Sequence, residues 1–264
     1  SAPVIDAWRL QPAAERLPFD TMLPSIGGYW FTRGAELFDT QGPRLRMPGE
    51  VAAMDYLQSY LLLSVKGFGL TLLDPQDGLR TAGQANLAAP LNHLAVQGER
   101  VLGASGRDLY WFDVKGAQIK QDTSKAMSLA DDVRQLRAYR GGFLVLTGKQ
   151  LLHLSAAGAT LAQFQGADLL SLVAQGENIY VATASDSLWR LNAQLKGDSA
   201  IMAGGVERMF MLPGQILGVS KDRMQLVDLA SRQRIASWPL SSAGSAKAQW
   251  SAGKLWLGGS DGLI

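Results

Sequence analysis

Leu94-Ala95-Val96-Gln97-Gly98-Glu99-Arg100-Val101-Leu102-Gly103-Ala104-Ser105, followed by Asp108-Leu109-Tyr110-Trp111-Phe112-Asp113, has a second copy further along the chain. That copy is Leu172-Val173-Ala174-Gln175-Gly176-Glu177-Asn178-Ile179-Tyr180-Val181-Ala182-Thr183, followed by Ser187-Leu188-Trp189-Arg190-Leu191-Asn192. Both follow one plan: an apolar run, a turn of Gly and a polar residue, a second apolar run, a short polar turn, and a third run ending in Asp or Asn. Apolar runs this short, bounded by turn residues, predict strands joined as antiparallel hairpins. The closing Asp or Asn suits a turn, because its side chain can bond the backbone two residues on.

The same plan recurs outward in both directions. Third runs end at Asp39, Asp74, Asp113, Ser155, Asn192 and Asp228, spaced about 35 to 42 residues apart, close to the roughly 40–45 residues of a four-stranded propeller blade. A helical repeat would show a 3.6-residue period, which these segments lack. Leu144-Val145-Leu146 and Ile179-Tyr180-Val181 are apolar without alternation, as expected of strands buried on both faces. The expected fold is all-β: one β-propeller domain over residues 1–264, most simply seven four-stranded blades. A seventh copy starts at Trp250 and stops at Gly262-Leu263-Ile264, while Val4-Ile5-Asp6-Ala7-Trp8-Arg9-Leu10 is strand-like. The N-terminal strand is therefore expected to complete the last blade, which removes an open edge. The other reading is a natural chain that continues past Ile264.

Leu226-Val227-Asp228 and Trp111-Phe112-Asp113 give the chain a repeat-level resemblance to bacterial propellers related to WD40, LVIVD-repeat and quinoprotein-like proteins. The resemblance implies the fold and leaves function open, since propellers serve as scaffolds, enzymes and ligand binders. The chain lacks regular Gly-His and Trp-Asp pairs. It also lacks the recurring Ala-Trp and Thr-Gly signature of quinoprotein dehydrogenases.

The 264 residues are 47% hydrophobic and 18% charged, with 29 glycines. Low charge and many glycines fit a chain of short strands and tight turns. Net charge is +2, and the 25 Lys and Arg residues are dispersed. Nucleic acid is not an expected partner, since it needs clustered cations. No apolar run reaches the roughly 20 residues of a membrane-spanning helix. Cysteine is absent, which excludes a disulfide framework and a thiol nucleophile and suits an oxidising compartment. Ser1-Ala2-Pro3-Val4 contains no signal peptide. The Ala, Leu, Gln and Arg bias reads as bacterial. The expected location is periplasmic or otherwise extracytoplasmic, with the cytoplasm as the alternative.

Catalytic motifs are missing. The only histidines, His93 and His153, have no ligand partner nearby in sequence, so both are read as structural and no metal is expected. Gly142-Phe143-Leu144-Val145-Leu146-Thr147-Gly148-Lys149-Gln150 misses phosphate-loop spacing by one residue and places Gln150 where Ser or Thr should hold magnesium. No nucleophile elbow or calcium loop occurs. Asp131 and Asp132, adjacent in sequence, make a poor acid/base pair. No cofactor is expected. Tryptophans are expected in the core, with Trp8 and Trp238 the most exposed.

The leading expectation is a non-catalytic, monomeric propeller that binds a protein partner, within a bacterial envelope-associated assembly. The alternatives are an enzyme (lyase, lactonase or quinoprotein-like oxidoreductase) with its site at the central channel, or the extracytoplasmic sensor domain of a membrane protein. Just before the first core residue of each inner strand stand Ala53, His93, Gln135, Ser171, Arg208 and Lys247, with Arg134 one residue earlier. Strand entrances ring a propeller's channel mouth, so His93, Arg134, Arg208 and Lys247 are the expected binding residues for an anion or an acidic segment.

Overall fold

The computed structural model describes residues 19–201, 205–240, 247–251 and 253–256. Among these residues there are 27 strands in seven antiparallel sheets. Each of sheets 1 to 6 is a meander of four strands in sequence order; sheet 3 adds the short strand Met127–Ser128 on its third strand, and sheet 7 is described as a pair. The first strands are Thr21–Ser25, Val51–Leu57, His93–Gln97, Val133–Tyr139, Leu169–Gln175, Arg208–Leu212 and Gln249–Ser251. The expected closing strand at residues 4–10 and the unfinished strand ending at Ile264 lie outside the described residues.

The turns follow from the sequence. Gly98 and Gly176, between first and second strands, have φ of +62° and +58°, the left-handed conformation in which a Cβ is penalised. Asp39 Oδ1 accepts from the Gln41 amide at 2.8 Å, Asp74 Oδ1 from Gln76 at 3.0 Å, and Asn192 Oδ1 from Gln194 at 3.0 Å. These are the Asx turns anticipated at third-strand ends. Asp113 differs, forming an ion pair with Arg100 at 3.0 Å.

The core lies between the sheets. Seven apolar clusters each join two consecutive sheets. In sheet 4, Val145 packs into the cluster shared with sheet 3, while Leu144 and Leu146 pack into the cluster shared with sheet 5. In sheet 5, Ile179 and Val181 face sheet 4, and Tyr180 faces sheet 6. Continuous apolar runs are thus alternating runs with two destinations.

The seventh cluster closes the ring. Trp256 of sheet 7 packs with Phe19, Met22, Phe31 and Phe38 of sheet 1. Its ring lies 4.7 Å from that of Tyr29, and Phe31 stacks on Phe38 at 4.7 Å. Lys247 Nζ adds an ion pair to Asp20 at 2.9 Å. Trp238 is half-buried against the cluster joining sheets 6 and 7; Trp8 lies outside the described residues.

Because successive strands reverse direction, the starts of the inner strands share one face with the turns between second and third strands. We call this the entrance face. Turns between first and second strands lie on the opposite face.

Truncating Trp256 removes the large side chain at the ring junction. Trp256→Ala is expected to lower the free energy of unfolding by about 3–5 kcal/mol, measured by urea denaturation. Leu161→Ala, at a side chain 58% exposed on an outer strand, is expected to shift it by no more than about 0.5 kcal/mol.

Candidate functional site

First-strand entrances of six sheets surround a cavity of about 370 Å³ at the mouth of the central channel. Its titratable lining is Asp20, Asp55, His93, Arg134, Arg208 and Lys247. The structure therefore brings together all four expected binding residues, along with Ala53 and Gln135. Ser171 goes elsewhere: it is buried, and its hydroxyl donates to the Val206 carbonyl of the next sheet at 2.8 Å.

Several of these residues also join sheets. Arg134 sits on a β-bulge, where Val133 pairs Thr147 and Gln135 pairs Leu146. A bulge leaves its extra residue out of the ladder and re-aims it. The Arg134 guanidinium donates to the Leu169 carbonyl of sheet 5. The Gln135 amide donates to the Leu172 carbonyl and accepts from the Leu172 amide, both at 3.0 Å. It thereby satisfies both backbone groups of one residue in the adjacent inner strand.

Arg208 and His93 oppose each other across the channel, since sheets 4 and 5 separate them one way and sheets 7, 1 and 2 the other. Protein surrounds Arg208 on most sides, and its guanidinium lies over the Phe210 ring, 5.8 Å from the centroid. Among the described residues it has no ion pair. Burial lowers its pKa, yet an arginine stays charged at any physiological pH. His93 is pulled below the usual imidazole value by burial and then by the Arg208 charge, against a bond to the Val133 carbonyl. Lys247 differs, its charge being matched by Asp20. Burial pushes Asp20 up, but the Gly34 amide and Lys247 outweigh it and hold the carboxyl below its ordinary range.

Asp55 was not among the expected site residues. Burial pushes its carboxyl up to about 6, with the Tyr56 amide, donating at 2.7 Å, pulling part of the way back. Its sequence signal was a lone carboxylate inside the apolar inner strand Val51-Ala52-Ala53-Met54-Asp55. His153 lies apart on a third strand, buried with its ring edge-on to Tyr139 at 5.2 Å. Among the described residues no group of three or more His, Asp or Glu is placed to hold a metal ion.

Arg134 borders a second concavity. A groove of about 710 Å³ on the entrance face runs from the Ser105–Asp108 turn past Asp131, Asp132 and Lys149 to Asp168. Lys149 reaches Asp131 at 3.5 Å, so the phosphate-loop mimic is a strand turn with a surface ion pair.

No protein-family model matches the chain, and no curated protein matches it in sequence. Solved structures are similar in fold. A chain of the mitotic checkpoint complex aligns with TM-score 0.73 and 12% identity, covering 100% of this chain and 96% of that one. The Neurospora crassa Pan2 WD40 domain aligns with TM-score 0.68 and 12% identity, covering 91% and 85%. BBS1N in complex with ARL6DN aligns with TM-score 0.61 and 12% identity, covering 80% and 72%. At these identities the likeness is one of fold alone, a β-propeller such as the Pan2 WD40 domain.

Asp55 makes stability depend on pH. Its folded pKa of about 6 lies above the ordinary 3.8, so between these values the folded protein holds a proton that the unfolded chain has lost. Its contribution is most favourable near pH 4, declines as pH rises toward 6, and stays low above that. Asp55→Asn is expected to be more stable than the native protein near neutral pH by on the order of 2–3 kcal/mol and to gain little near pH 4. Denaturant unfolding at the two pH values measures the difference.

Proposed function

We propose that this propeller is a monomeric, non-catalytic docking platform that holds a protein partner on its entrance face, within a bacterial envelope-associated assembly. One observation carries the reading. Arg134, held out of its strand by a bulge, stands where the channel mouth and the 710 Å³ groove meet. The entrance face thereby offers two recesses that adjoin at Arg134 and carry charge of both signs, on a scaffold whose inner strands are tied together. Sites carried by rigid elements keep their geometry when a partner docks. Support by analogy comes from BBS1N, which was solved with ARL6DN, and from the mitotic checkpoint complex, an assembly by name. The extracytoplasmic setting rests on the absence of cysteine.

A second reading takes the cavity as a catalytic centre. It rests on Asp55, at about 6, sharing the cavity with His93, since acid–base chemistry uses groups whose pKa values are shifted toward neutrality. The docking reading expects partner capture to survive Asp55→Asn; the catalytic reading expects a small-molecule turnover that this variant abolishes.

Crosslinked affinity capture of the native protein, read by mass spectrometry, tests the platform. A stoichiometric partner is expected, with recovery falling at least about tenfold in Arg134→Glu. Arg140→Glu, on the opposite face and exposed, is expected to capture as the native protein does. Equal loss in both variants, or no partner under several conditions, overturns the reading.

A further inference from the structure

The channel holds a positive charge that no carboxylate among the described residues compensates. Arg208 is mostly enclosed, lines the cavity, and has no carboxylate partner among the described residues. The acids that share the cavity are otherwise placed. Asp20 is taken by Lys247 and the Gly34 amide, and the Asp55 carboxylate by the Tyr56 amide. Neither forms an ion pair with Arg208. Arg208 is half-buried, and a partly desolvated charge without a partner is stabilised when an anion binds beside it.

The surroundings suit an anion. Phe210 supports the guanidinium through a cation–π contact, which leaves its N–H fork free to engage a planar or tetrahedral oxyanion with two donors. His93 faces it from across the channel, close enough for the two charges to interact. A cavity of about 370 Å³ lies within the roughly 300–1,000 Å³ of small-molecule sites. We propose that Arg208 and His93 form a binding site for one oxyanion, a carboxylate or phosphate group, inside the channel. Arg208 supplies the charge and the fork; His93, with one ring N–H on the Val133 carbonyl, donates through its other ring nitrogen once the anion favours its protonation. The assignment does not depend on the docking reading. A protein that captures its partner and binds no anion sinks this site alone, and one that binds an anion but captures nothing sinks docking alone.

The test is calorimetric titration of the native chain with three probes: inorganic phosphate, acetate, and a terminally blocked Gly-Glu-Gly peptide with Gly-Gln-Gly as its control. Saturable binding of phosphate or acetate assigns a free anion. Binding of the Glu peptide alone, absent with Gln, assigns an acidic side chain carried by a partner. In either case Arg208→Met is expected to weaken binding at least about tenfold, and Arg46→Gln, exposed on an outer strand, to leave it unchanged. A second readout needs no variant. The chain has two histidines, and anion binding is expected to shift the imidazole resonances of His93 and raise its pKa while leaving His153 unmoved. The proposal is overturned if no probe binds saturably below about 10 mM, an affinity weaker than ordinary specific recognition. It is also overturned if Arg208→Met binds as the native chain does, or if His153 responds instead of His93.

Discussion

Every sheet of this protein depends on its neighbours for a core. A strand in the middle of a sheet sends alternate side chains to two different clusters, one on each side, so no sheet encloses apolar volume by itself. Burial of apolar surface is the main favourable contribution to folding, and here it is gained only between sheets. A row of such sheets would leave an apolar face at each end. The ring removes both ends by bringing Trp256 against Tyr29 and the phenylalanines of sheet 1.

Closing the ring also determines the site. Inner-strand entrances converge, and side chains about 40 residues apart in sequence, or far more, become neighbours around one cavity. Polar groups near the axis are then treated in two ways. Gln135, Ser171 and Arg134 spend their hydrogen bonds on the backbone of the next sheet and stiffen the ring. Arg208 and Asp55 stay directed to the channel, His93 lines it while also bonding the Val133 carbonyl of the next sheet, and all three bear the electrostatic consequence, with pKa values moved by burial. Such perturbed groups, concentrated in one recess, make the channel mouth the candidate functional site.

Much of the fold could be read from local pattern. The paired copies at Leu94 and Leu172, the glycine turns and the third-strand Asp residues define strand order and hairpin pairing, because antiparallel pairing through short turns is a local property. The candidate site was half legible. Counting back from the first core residue of each inner strand located His93, Arg208 and Lys247, since equivalent positions in repeats occupy equivalent places in a ring. Asp55 escaped notice because it lies two residues deeper along its strand, where its exposure to the channel depends on the register set by the bulge between Val51 and Ala53. Ser171 was placed at the mouth by the same counting, yet its hydroxyl turns to the Val206 carbonyl.

By itself, then, the sequence determined the all-β class, the repeat, the hairpins and the ring of strand entrances, all of which follow from short-range periodicity and turn chemistry. Only the tertiary structure decided which polar side chains tie sheets together and which face the channel. That choice depends on bulges and on partners in neighbouring sheets, some 35 to 38 residues away for the ties from Arg134, Gln135, Arg137 and Tyr139. It also depends on the charge balance across the ring, where the Arg208 charge acts on His93 across the channel and Lys247 pairs with Asp20. Electrostatic energy depends on distance and burial in space, and neither exists until the ring has closed.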